Sequence, residues 1–597
     1  MEENKSNEIS LKIDDVQVSV PKGTNLIEAA EKAGIYIPHF CYHEGLSVVG
    51  QCRMCFVEIE GARKLATACS TSVAPDMIVS TKSEEVVKSQ NATIEFILLN
   101  HPLDCPICDR GGECKLQDYT LEYGPSRSRM TDDKVLRDKH RALSKDIYLD
   151  QERCILCTRC TRFSSEVDGK TELVVTERGN DSRIDVFEDK EFASNFSGNV
   201  VDLCPVGALT AKDFRFQARP WELEKHDVIC TGCAVGCNAV VETKHRHAGI
   251  VRPDKKEPVP EIKRLLPRKN SEVNDWWLCN KGRWGYHFHN EAERRVKTPL
   301  LLRDGNYEEV GLQEIQRELE KDLFKKDISV FVSDSLCGEA VEWTQDLRKS
   351  WRIRGRNVSG INESPVSEKF LDSWGNFKSE QKWNALPADW NGIQEVYSLQ
   401  NYRDLETQVP LLSLRLGQKR RSKKLKWNEL KSYEEFSTLE FSEDAVLLLP
   451  VPQKMSEIEL IETLNKKHKI LFLWSNVNSR GVLEQGIAPL ELISEFIEET
   501  EEKAIFFVHQ ETQNDLPEKV QELLKNASTL FVADSHNKNC YQNANGLLPL
   551  TPLYETQATL CNLEGLSQLS DGIQIEHPNS PSLQRGGRAV PVSLRVL

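Results

Sequence analysis

The segments RCILCTRC (residues 153–160) and VDLCPVGALT (residues 201–210) carry the cysteine pattern that decides the fold. The first has three cysteines in a CxxCxxC run, and the second has one cysteine followed directly by Pro205. Three closely spaced thiols with a distant fourth make a complete ligand set for a [4Fe-4S] cluster. The predicted ligands are Cys154, Cys157, Cys160 and Cys204.

The cysteines that are missing from this region are as informative as those that are present. A two-cluster bacterial ferredoxin has two runs of CxxCxxCxxxCP, and the fourth cysteine of each run binds the other cluster. Here the four remaining positions of the two runs carry Ser164, Ser194, Ser197 and Val200. We therefore predict a ferredoxin-like domain that keeps one cluster and has lost the other.

A second metal-binding pattern lies in HPLDCPICDRGGECKLQD (residues 101–118), which reduces to HxxxCxxCxxxxxC. Four such ligands suit either a four-coordinate metal ion or the corners of a cubane. Gly111 and Gly112 favour the larger guest, because glycine lets the chain fold closely around it. A neutral imidazole in place of one thiolate would raise the potential of such a cluster. A lone histidine is usually structural, but this one stands in series with cysteines, so we predict a [4Fe-4S] set of His101, Cys105, Cys108 and Cys114.

The N-terminal residues 9–41 predict a β-grasp ferredoxin domain. Apolar and polar residues alternate in two short stretches, a turn follows at residues 21–23, and a helix capped by Thr24 or Asn25 ends at Gly34. The cysteines that follow suit the four positions of a [2Fe-2S] cluster. The alternative for this group is a zinc knuckle, although most zinc sites lack the β-grasp context. The predicted ligands are Cys41, Cys52, Cys55 and Cys69.

A fourth group combines CTGCAVGC (residues 230–237) with a distant cysteine in DWWLCNKGRWGYHF (residues 275–288). The CxxCxxxC spacing with one further thiol again predicts a [4Fe-4S] cluster. The charged, proline-rich residues 252–270 between the two segments predict an exposed insertion. The predicted ligands are Cys230, Cys233, Cys237 and Cys279.

Composition agrees with a metal-binding protein of several domains. Fifteen of the eighteen cysteines precede residue 280, in a chain of 597 residues whose start is acidic and polar rather than a secretory signal. Disulfides are therefore a poorer explanation than metal. The net charge of −15 argues against nucleic-acid binding. We expect a soluble protein in the cytoplasm.

The order of the four groups resembles the family of large iron–sulfur subunits of NADH-quinone oxidoreductase, respiratory complex I, in its bacterial form. The resemblance spans about residues 9 to 290, and it rests on four segments: GQCRMC, HPLDCPICDRGGECKLQD, SGNVVDLCPVGALT and KDFRFQARPWEL. It implies that electrons pass from an NADH- and FMN-binding subunit through the clusters of Cys41, Cys154 and His101, in that order, toward quinone-facing subunits. It also implies that the Cys230 cluster lies off this path.

The second half of the chain resembles a shortened, degenerate molybdopterin-oxidoreductase domain. Glu555 and Glu564 keep that family's acidic positions, but Ala558 and Leu566 replace its glycine and arginine, so no molybdopterin is expected. Apolar stretches such as KILFLW, AIFFVHQ and STLFVADS predict an α/β scaffold. The thiols of Cys337, Cys540 and Cys561 are expected to be small buried side chains.

These patterns predict a multidomain α+β and α/β protein with one [2Fe-2S] and three [4Fe-4S] clusters. The predicted domains are 1–85 (β-grasp [2Fe-2S] ferredoxin), 86–145 ([4Fe-4S] domain with one histidine and three cysteine ligands), 146–222 (one-cluster ferredoxin relic), 223–290 ([4Fe-4S] domain of the Mo/W type) and 291–597 (degenerate molybdopterin-oxidoreductase-like).

By resemblance the expected partners are the NADH/FMN-binding subunit and other peripheral-arm iron–sulfur subunits. We expect the chain to reach the cytoplasmic face of the inner membrane only through that complex, with no catalytic site of its own. Two alternatives remain: an iron–sulfur subunit of an NAD-linked hydrogenase or formate dehydrogenase, and a zinc-stapled interaction scaffold.

Overall fold

The computed structural model divides the chain into two compact units, Met1–Leu223 and Glu224–Leu597. The structure describes residues 8–186, 191–244, 260–291, 293–323, 326–333, 335–354, 358–360, 369–374, 393–442, 445–452, 454–465, 468–473, 479, 504–510, 516–561 and 567–571. Across these residues, no helix has both the length and the apolar character needed to cross a membrane.

The first unit opens with a small sheet and one helix. Its elements are β1 (Glu8–Ile13), β2 (Val16–Pro21), α1 (Leu26–Lys32), β3 (Phe56–Ile59), β4 (Ala66–Thr67) and β5 (Ile78–Ser80). The five strands form one sheet in the order β2-β1-β5-β3-β4. Strand β1 pairs antiparallel with β2 and parallel with β5.

The pattern of residues 9–41 forms the elements that it predicts. Leu11 and Ile13 alternate with polar residues along β1, and they are buried in one core with Ala29 and Ala30 of α1. Asn25 caps the helix, because its side-chain oxygen accepts a hydrogen bond from the backbone N–H of Glu28 at 3.0 Å. The predicted strands, turn and helix are therefore confirmed, with Asn25 rather than Thr24 as the cap.

The rest of the first unit consists of short elements joined by long cysteine-bearing loops. They are α2 (Glu84–Leu98), α3 (Lys115–Tyr123), β6 (Arg141–Ala142), β7 (Ile147–Leu149), α4 (Arg159–Arg162), β8 (Leu173–Thr176), β9 (Arg183–Val186), α5 (Asn199–Leu203) and β10 (Leu209–Ala211). Strands β10, β7 and β6 form a three-stranded sheet, and β8 pairs with β9. Helix α4 runs directly into a π-helix, Phe163–Asp168.

The four positions at which the sequence predicts the loss of a second cluster are buried. The hydroxyl of Ser164 accepts hydrogen bonds from the backbone N–H groups of Glu172 and Leu173, at 2.9 and 3.3 Å. The hydroxyl of Ser194 accepts one from the N–H of Phe196 at 3.0 Å. Buried hydroxyls that bond the surrounding backbone need no metal to satisfy them. This arrangement agrees with a single cluster in the domain, and the number of clusters stays a prediction.

The second unit begins with a three-stranded antiparallel sheet, β11 (Glu224–Ile229), β12 (Asn238–Lys244) and β13 (Glu261–Pro267). The exposed insertion predicted over residues 252–270 is wrong for its second half. Ile262 and Leu265 are buried in β13, because the sheet offers a core for these two side chains. Residues 252–259 of that segment lie outside the described residues.

The remaining elements form two parallel-rich sheets with helices between their strands, and one antiparallel pair, β25 with β26. They are α6 (Asn280–Trp284), β14 (Leu300–Arg303), β15 (Asn306–Glu309), α7 (Leu312–Glu318), β16 (Ile328–Val332), α8 (Gly338–Ile353), β17 (Val358–Gly360), β18 (Glu395–Ser398), α9 (Tyr402–Gln408), α10 (Pro410–Arg421), β19 (Lys426–Glu429), α11 (Tyr433–Phe436), β20 (Ala445–Leu449), α12 (Met455–Asn465), β21 (Lys469–Phe472), β22 (Ala504–Val508), α13 (Glu518–Asn526), β23 (Leu530–Asp534), β24 (Gly546–Pro549), β25 (Ala558–Cys561) and β26 (Ser567–Ser570).

These strands confirm the predicted α/β scaffold of the second half. The larger sheet has the order β15-β14-β24-β23-β22-β16-β17, and the smaller has the order β19-β18-β20-β21. The segments KILFLW, AIFFVHQ and STLFVADS supply β21, β22 and β23, each in a parallel ladder. Their residues are nearly all buried, as expected for strands covered on both faces. Cys337 and Cys540 are buried thiols, as predicted.

Candidate metal centres

The first thiol group lies in loops around the five-stranded sheet. Cys41 follows α1, Cys52 and Cys55 precede β3, and Cys69 lies in the turn after β4. The backbone N–H of Cys41 donates a hydrogen bond to Cys52 Sγ at 3.5 Å. The four side chains are close enough for their charges to interact. The structure thus brings together all four residues predicted for the binuclear site.

The thiols of this group interact in two pairs, Cys41 with Cys52 and Cys55 with Cys69. A hydrogen bond from the Cys52 thiol lowers the pKa of Cys41 to about 5, and one from the Cys55 thiol lowers the pKa of Cys69. The pKa values of Cys52 and Cys55 rise, because ionisation of these donors would break the bonds. Iron bound in place of the thiol protons would leave four thiolates, the form in which cysteine binds metal.

The second thiol group lines a single pocket within the first unit. Cys154, Cys157, Cys160 and Cys204 all face it, and most of the other lining side chains are apolar: Leu149, Ile155, Ile184, Val206, Ala208 and Leu209. Burial raises the pKa of Cys154 to about 12 and that of Cys157 to about 11. A thiolate in such surroundings needs a positive charge beside it. Arg159 also lines the pocket, but burial still outweighs its charge at Cys157, so the four thiols fit a guest that contains a metal cation.

The third group is only partly assembled around one point. Cys108 and Cys114 are buried, and Cys105 is exposed beside them. His101 is largely buried, and its Nδ1 has no hydrogen-bond partner. Burial, with a contribution from the charge of Arg153, lowers the pKa of His101 to about 4. The ring is therefore neutral at physiological pH and has a free nitrogen, which suits a metal ligand.

Two glycines allow a close approach of the chain to this third group. A Cβ on Gly207 would overlap Cys108 Sγ, and one on Gly111 would lie 2.8 Å from the backbone oxygen of Cys105. Gly111 was identified from the sequence, whereas Gly207 was missed. Its position shortly after Cys204 could have indicated it, because a residue beside one metal site can also pack against another.

We predict that Gly207→Ala disrupts the His101 site. The new methyl group would displace Cys108 Sγ, which a bound cluster would hold in place, so about four irons per chain should be lost. Iron analysis of the purified chain checks this prediction. Gly311→Ala is the matched control, because a Cβ at Gly311 meets no atom within 4 Å. Full iron content in Gly207→Ala would contradict a ligand role for Cys108.

The fourth thiol group lies in the second unit and is fully buried. Cys230, Cys233 and Cys237 lie between β11 and β12, and Cys279 immediately precedes α6. The backbone N–H of Gly282 donates to Cys279 Sγ at 3.4 Å, and a Cβ on Gly282 would lie 2.8 Å from Cys230 Sγ. The distant cysteine is thus brought against the CxxCxxxC loop, as the sequence predicted. Burial raises the pKa of Cys233 to about 12.

Across the described part of the chain, no group of three or more His, Cys, Asp or Glu side chains is arranged to hold a metal ion directly. The thiols of the second group surround a pocket instead.

Glu555, an acidic position of the molybdopterin-like segment, forms a buried ion pair. Its carboxylate contacts both terminal nitrogens of Arg295, one of them at 2.5 Å. The Nε2 atom of His289 lies 3.1 Å from the carboxylate, although it is not directed as a hydrogen bond. Burial raises the pKa of Glu555, but its contacts with His289 and Arg295 outweigh burial and lower the pKa to about 2. Glu564 and Leu566 lie outside the described residues.

Three family models match the first unit. Residues 6–84 match a 2Fe-2S iron-sulfur cluster binding domain, and residues 90–129 match the NADH-ubiquinone oxidoreductase-G iron-sulfur binding region. Residues 144–210 match the ferredoxin-like domain of NADH-quinone oxidoreductase subunit 3. The fold and these matches define a protein with ferredoxin-like domains that bind 2Fe-2S and 4Fe-4S clusters.

Curated relatives confirm the resemblance to the large iron–sulfur subunit of NADH-quinone oxidoreductase. The chain is 44% identical over 299 residues to the NADH-quinone oxidoreductase G subunit of Mycobacterium bovis, a match that covers 50% of this chain and 35% of that protein. It is 42% identical over 315 residues to the mitochondrial NADH-ubiquinone oxidoreductase 78 kDa subunit of Neurospora crassa, with coverages of 52% and 40%. The matches thus span less than half the length of these relatives.

A solved structure of NAD+-reducing [NiFe]-hydrogenase is 30% identical to the chain. The match covers 35% of this chain and 90% of the hydrogenase chain. Its TM-score of 0.33 is too low to define a shared fold.

Proposed function

We propose that the chain is an electron-transfer subunit of an NADH-quinone oxidoreductase. It would relay electrons from an NADH- and FMN-binding subunit through iron–sulfur clusters toward the quinone site. The observation that carries this proposal is that the first three ligand groups are joined in series by contacts between residues next to their ligands.

The Cys41 and Cys154 groups are linked by their loops. The side-chain amide of Gln51 donates to the backbone oxygen of Leu156, and the backbone N–H of Ser47 donates to Glu166 Oε2 at 2.8 Å. Gln51 stands next to Cys52, and Leu156 stands next to Cys157 in the CxxCxxC run. These contacts hold the two loops against each other, which favours direct transfer between the sites.

The Cys154 and His101 groups are linked in the same way. Arg153 donates to Asp104 Oδ2 through Nη2 at 2.7 Å and through Nε at 3.0 Å. The thiol of Cys114 lies 3.8 Å from the backbone oxygen of Pro205. Each contact links the Cys154 ligand set to the His101 ligand set, through a ligand itself or through the residue next to one. These links support the order Cys41, Cys154, His101 for the electron path.

We propose the ligand sets of the sequence analysis for these sites: Cys41, Cys52, Cys55 and Cys69 for a [2Fe-2S] cluster; His101, Cys105, Cys108 and Cys114, then Cys154, Cys157, Cys160 and Cys204, then Cys230, Cys233, Cys237 and Cys279 for three [4Fe-4S] clusters. When bound, these clusters supply one-electron redox chemistry. The chain's own residues bury the thiols and hold neighbouring sites together. The Cys230 group belongs to the second unit, and we propose that it lies off the main path.

The finer organisation is also part of the proposal. The domains would be 1–85, 86–145, 146–222, 223–290 and 291–597, and the last would be a degenerate molybdopterin-oxidoreductase-like region without molybdopterin. A buried Glu555–Arg295 pair at its acidic position supports a structural role there. The partners would be the NADH/FMN-binding subunit and other peripheral-arm iron–sulfur subunits. The assembly would lie on the cytoplasmic face of the inner membrane.

Metal and acid-labile sulfide analysis of the chain purified without oxygen tests this proposal. One binuclear and three tetranuclear clusters predict about 14 irons per chain with matching sulfide. Stoichiometric zinc with little iron would replace the proposal with a zinc-stapled scaffold. Molybdenum or tungsten would make the second half a catalytic domain. Co-purification with a hydrogenase or formate-oxidising subunit instead of membrane-arm subunits would favour the NAD-linked alternative.

A further inference from the structure

Helix α4 carries two arginines whose side chains are buried between the first two ligand groups. Arg159 and Arg162 stand on either side of Cys160, and they are 5% and 8% exposed. They are three residues apart on a helix, so both side chains leave the same face. Arginine is rarely so deeply buried unless its charge is paired.

Arg162 bonds the backbone of a ligand in each group. Its Nη2 atom donates to the backbone oxygen of Cys41, in the binuclear loop, and to that of Cys157 at 3.5 Å, in the tetranuclear loop. Its Nη1 atom donates to the backbone oxygen of Ser47, which also belongs to the binuclear loop. One guanidinium therefore spans both loops.

Arg159 also bonds the backbone of both ligand groups, but at residues next to the ligands and not at the ligands themselves. Its Nη2 atom donates to the backbone oxygen of Tyr42, next to Cys41. Its Nη1 atom donates to the backbone oxygen of Leu203, next to Cys204, at 3.3 Å. Its Nε atom is buried without a hydrogen-bond partner. Both side chains thus connect the same two ligand groups through independent backbone contacts.

The charges of the two guanidinium groups lack an ordinary counter-ion. No aspartate or glutamate among the described residues forms an ion pair with Arg159 or Arg162, and their hydrogen bonds go to neutral carbonyl groups. A buried charge without an opposite charge is costly. Cysteines of both ligand groups lie within electrostatic range of this pair, Cys41 of Arg162 and Cys157 of both arginines, and iron–sulfur clusters held by four thiolates are anionic. Bound clusters would supply the missing negative charge.

We propose that Arg159 and Arg162 form an arginine pair that fixes the Cys41 and Cys154 sites relative to each other and raises the reduction potentials of both. Placed beside two anionic sites, two fixed positive charges stabilise the state that carries the additional electron. The transfer step that the pair serves moves one electron: the donor site is oxidised, the acceptor site is reduced, and no proton or bond changes place. This inference rests on the proposed iron–sulfur function, since it needs both sites to be loaded.

Arg162→Gln and Arg159→Gln test the pair in the full chain purified without oxygen. Each change removes one positive charge and keeps a polar side chain. We expect each variant to lower the equilibrium constant for reduction of the binuclear cluster, and that of the Cys154 cluster, about tenfold. For a one-electron step this corresponds to a fall in midpoint potential of about 59 mV. Redox titration followed by electron paramagnetic resonance measures both midpoints, and iron and sulfide analysis is done on the same samples.

Two further variants separate charge from structure. Arg162→Lys keeps the positive charge but replaces the forked guanidinium with a single ammonium group. The equilibrium constant for reduction of each cluster in this variant should therefore stay within about threefold of that in the parent chain. Arg178→Gln removes a charge from an exposed side chain of the same domain and should leave both midpoints unchanged. A midpoint shift in the glutamine variants that Arg162→Lys reverses is the expected signature.

The outcomes distinguish the inference from the proposed function. Glutamine variants with full iron content and unchanged midpoints would overturn the role in setting potentials. Loss of iron from the glutamine and lysine variants alike would also overturn it, because the pair would then act only in folding. A parent chain without iron would instead refute the proposed function itself. If Arg162→Gln alone loses iron, the midpoints of Arg159→Gln and Arg162→Lys show whether the pair sets the reduction potentials.

Discussion

Cys157→Ala is expected to abolish NADH-to-quinone electron transfer while electron transfer from the flavin to an artificial acceptor continues. Cys157 lines the pocket of the second thiol group, and residues next to the ligands of that group contact both of the other groups on the proposed path. Without this ligand the cluster should not form, so the path would be broken between its first and last sites. Quinone reduction, acceptor reduction and iron content of the assembled enzyme are the three measurements, and iron should fall by about four per chain.

Cys540→Ala is the matched control for this variant. Cys540 is also a buried thiol, but it belongs to none of the four ligand groups. It should retain full iron content and quinone activity, with at most a small loss of stability. Quinone reduction that survives in Cys157→Ala, with the iron of that site absent, would place the Cys154 cluster outside the electron path.

Glu555→Gln is expected to destabilise the second unit by about 3–5 kcal/mol, because it leaves the buried guanidinium of Arg295 without its counter-charge. The shift in the pKa of Glu555 from 4.5 to about 2 gives a similar value of about 3 kcal/mol. Urea unfolding of parent and variant, followed by tryptophan fluorescence, measures the difference. The exposed Glu309 provides the control, and Glu309→Gln should change stability by less than about 0.5 kcal/mol.

The effect of Glu555 should depend on pH in a defined direction. Its pKa is lower in the folded protein than in the unfolded chain, so the unfolded state binds more protons between these two values. The stabilisation is therefore fully present above about pH 4.5 and is lost as the pH falls through about 2. The difference between parent and Glu555→Gln should stay constant from about pH 8 to 5. A difference that already shrinks across that range would contradict the assigned charge state.

Local patterns account for most of what could be predicted about the fold. The alternation along β1 and β2, the Asn25 cap and the apolar runs of β21, β22 and β23 are properties of neighbouring residues, and they form the predicted elements. The prediction failed for residues 261–267, where charged residues suggested exposure. Ile262 and Leu265 are buried there because β13 pairs with β12, a contact that the charge pattern does not encode.

The sequence by itself determined the prediction of iron–sulfur chemistry. The CxxC-type spacings, the histidine in series with three cysteines and the serines at the lost ligand positions all act over short stretches, so they indicate iron–sulfur sites without knowledge of the fold. Only the tertiary structure decided how the sites are connected. The Arg153–Asp104 pair, the packing of Gly207 against Cys108, and the arginine pair all join residues far apart in the chain. Such contacts depend on which loops the folded core brings together, and no local pattern specifies that.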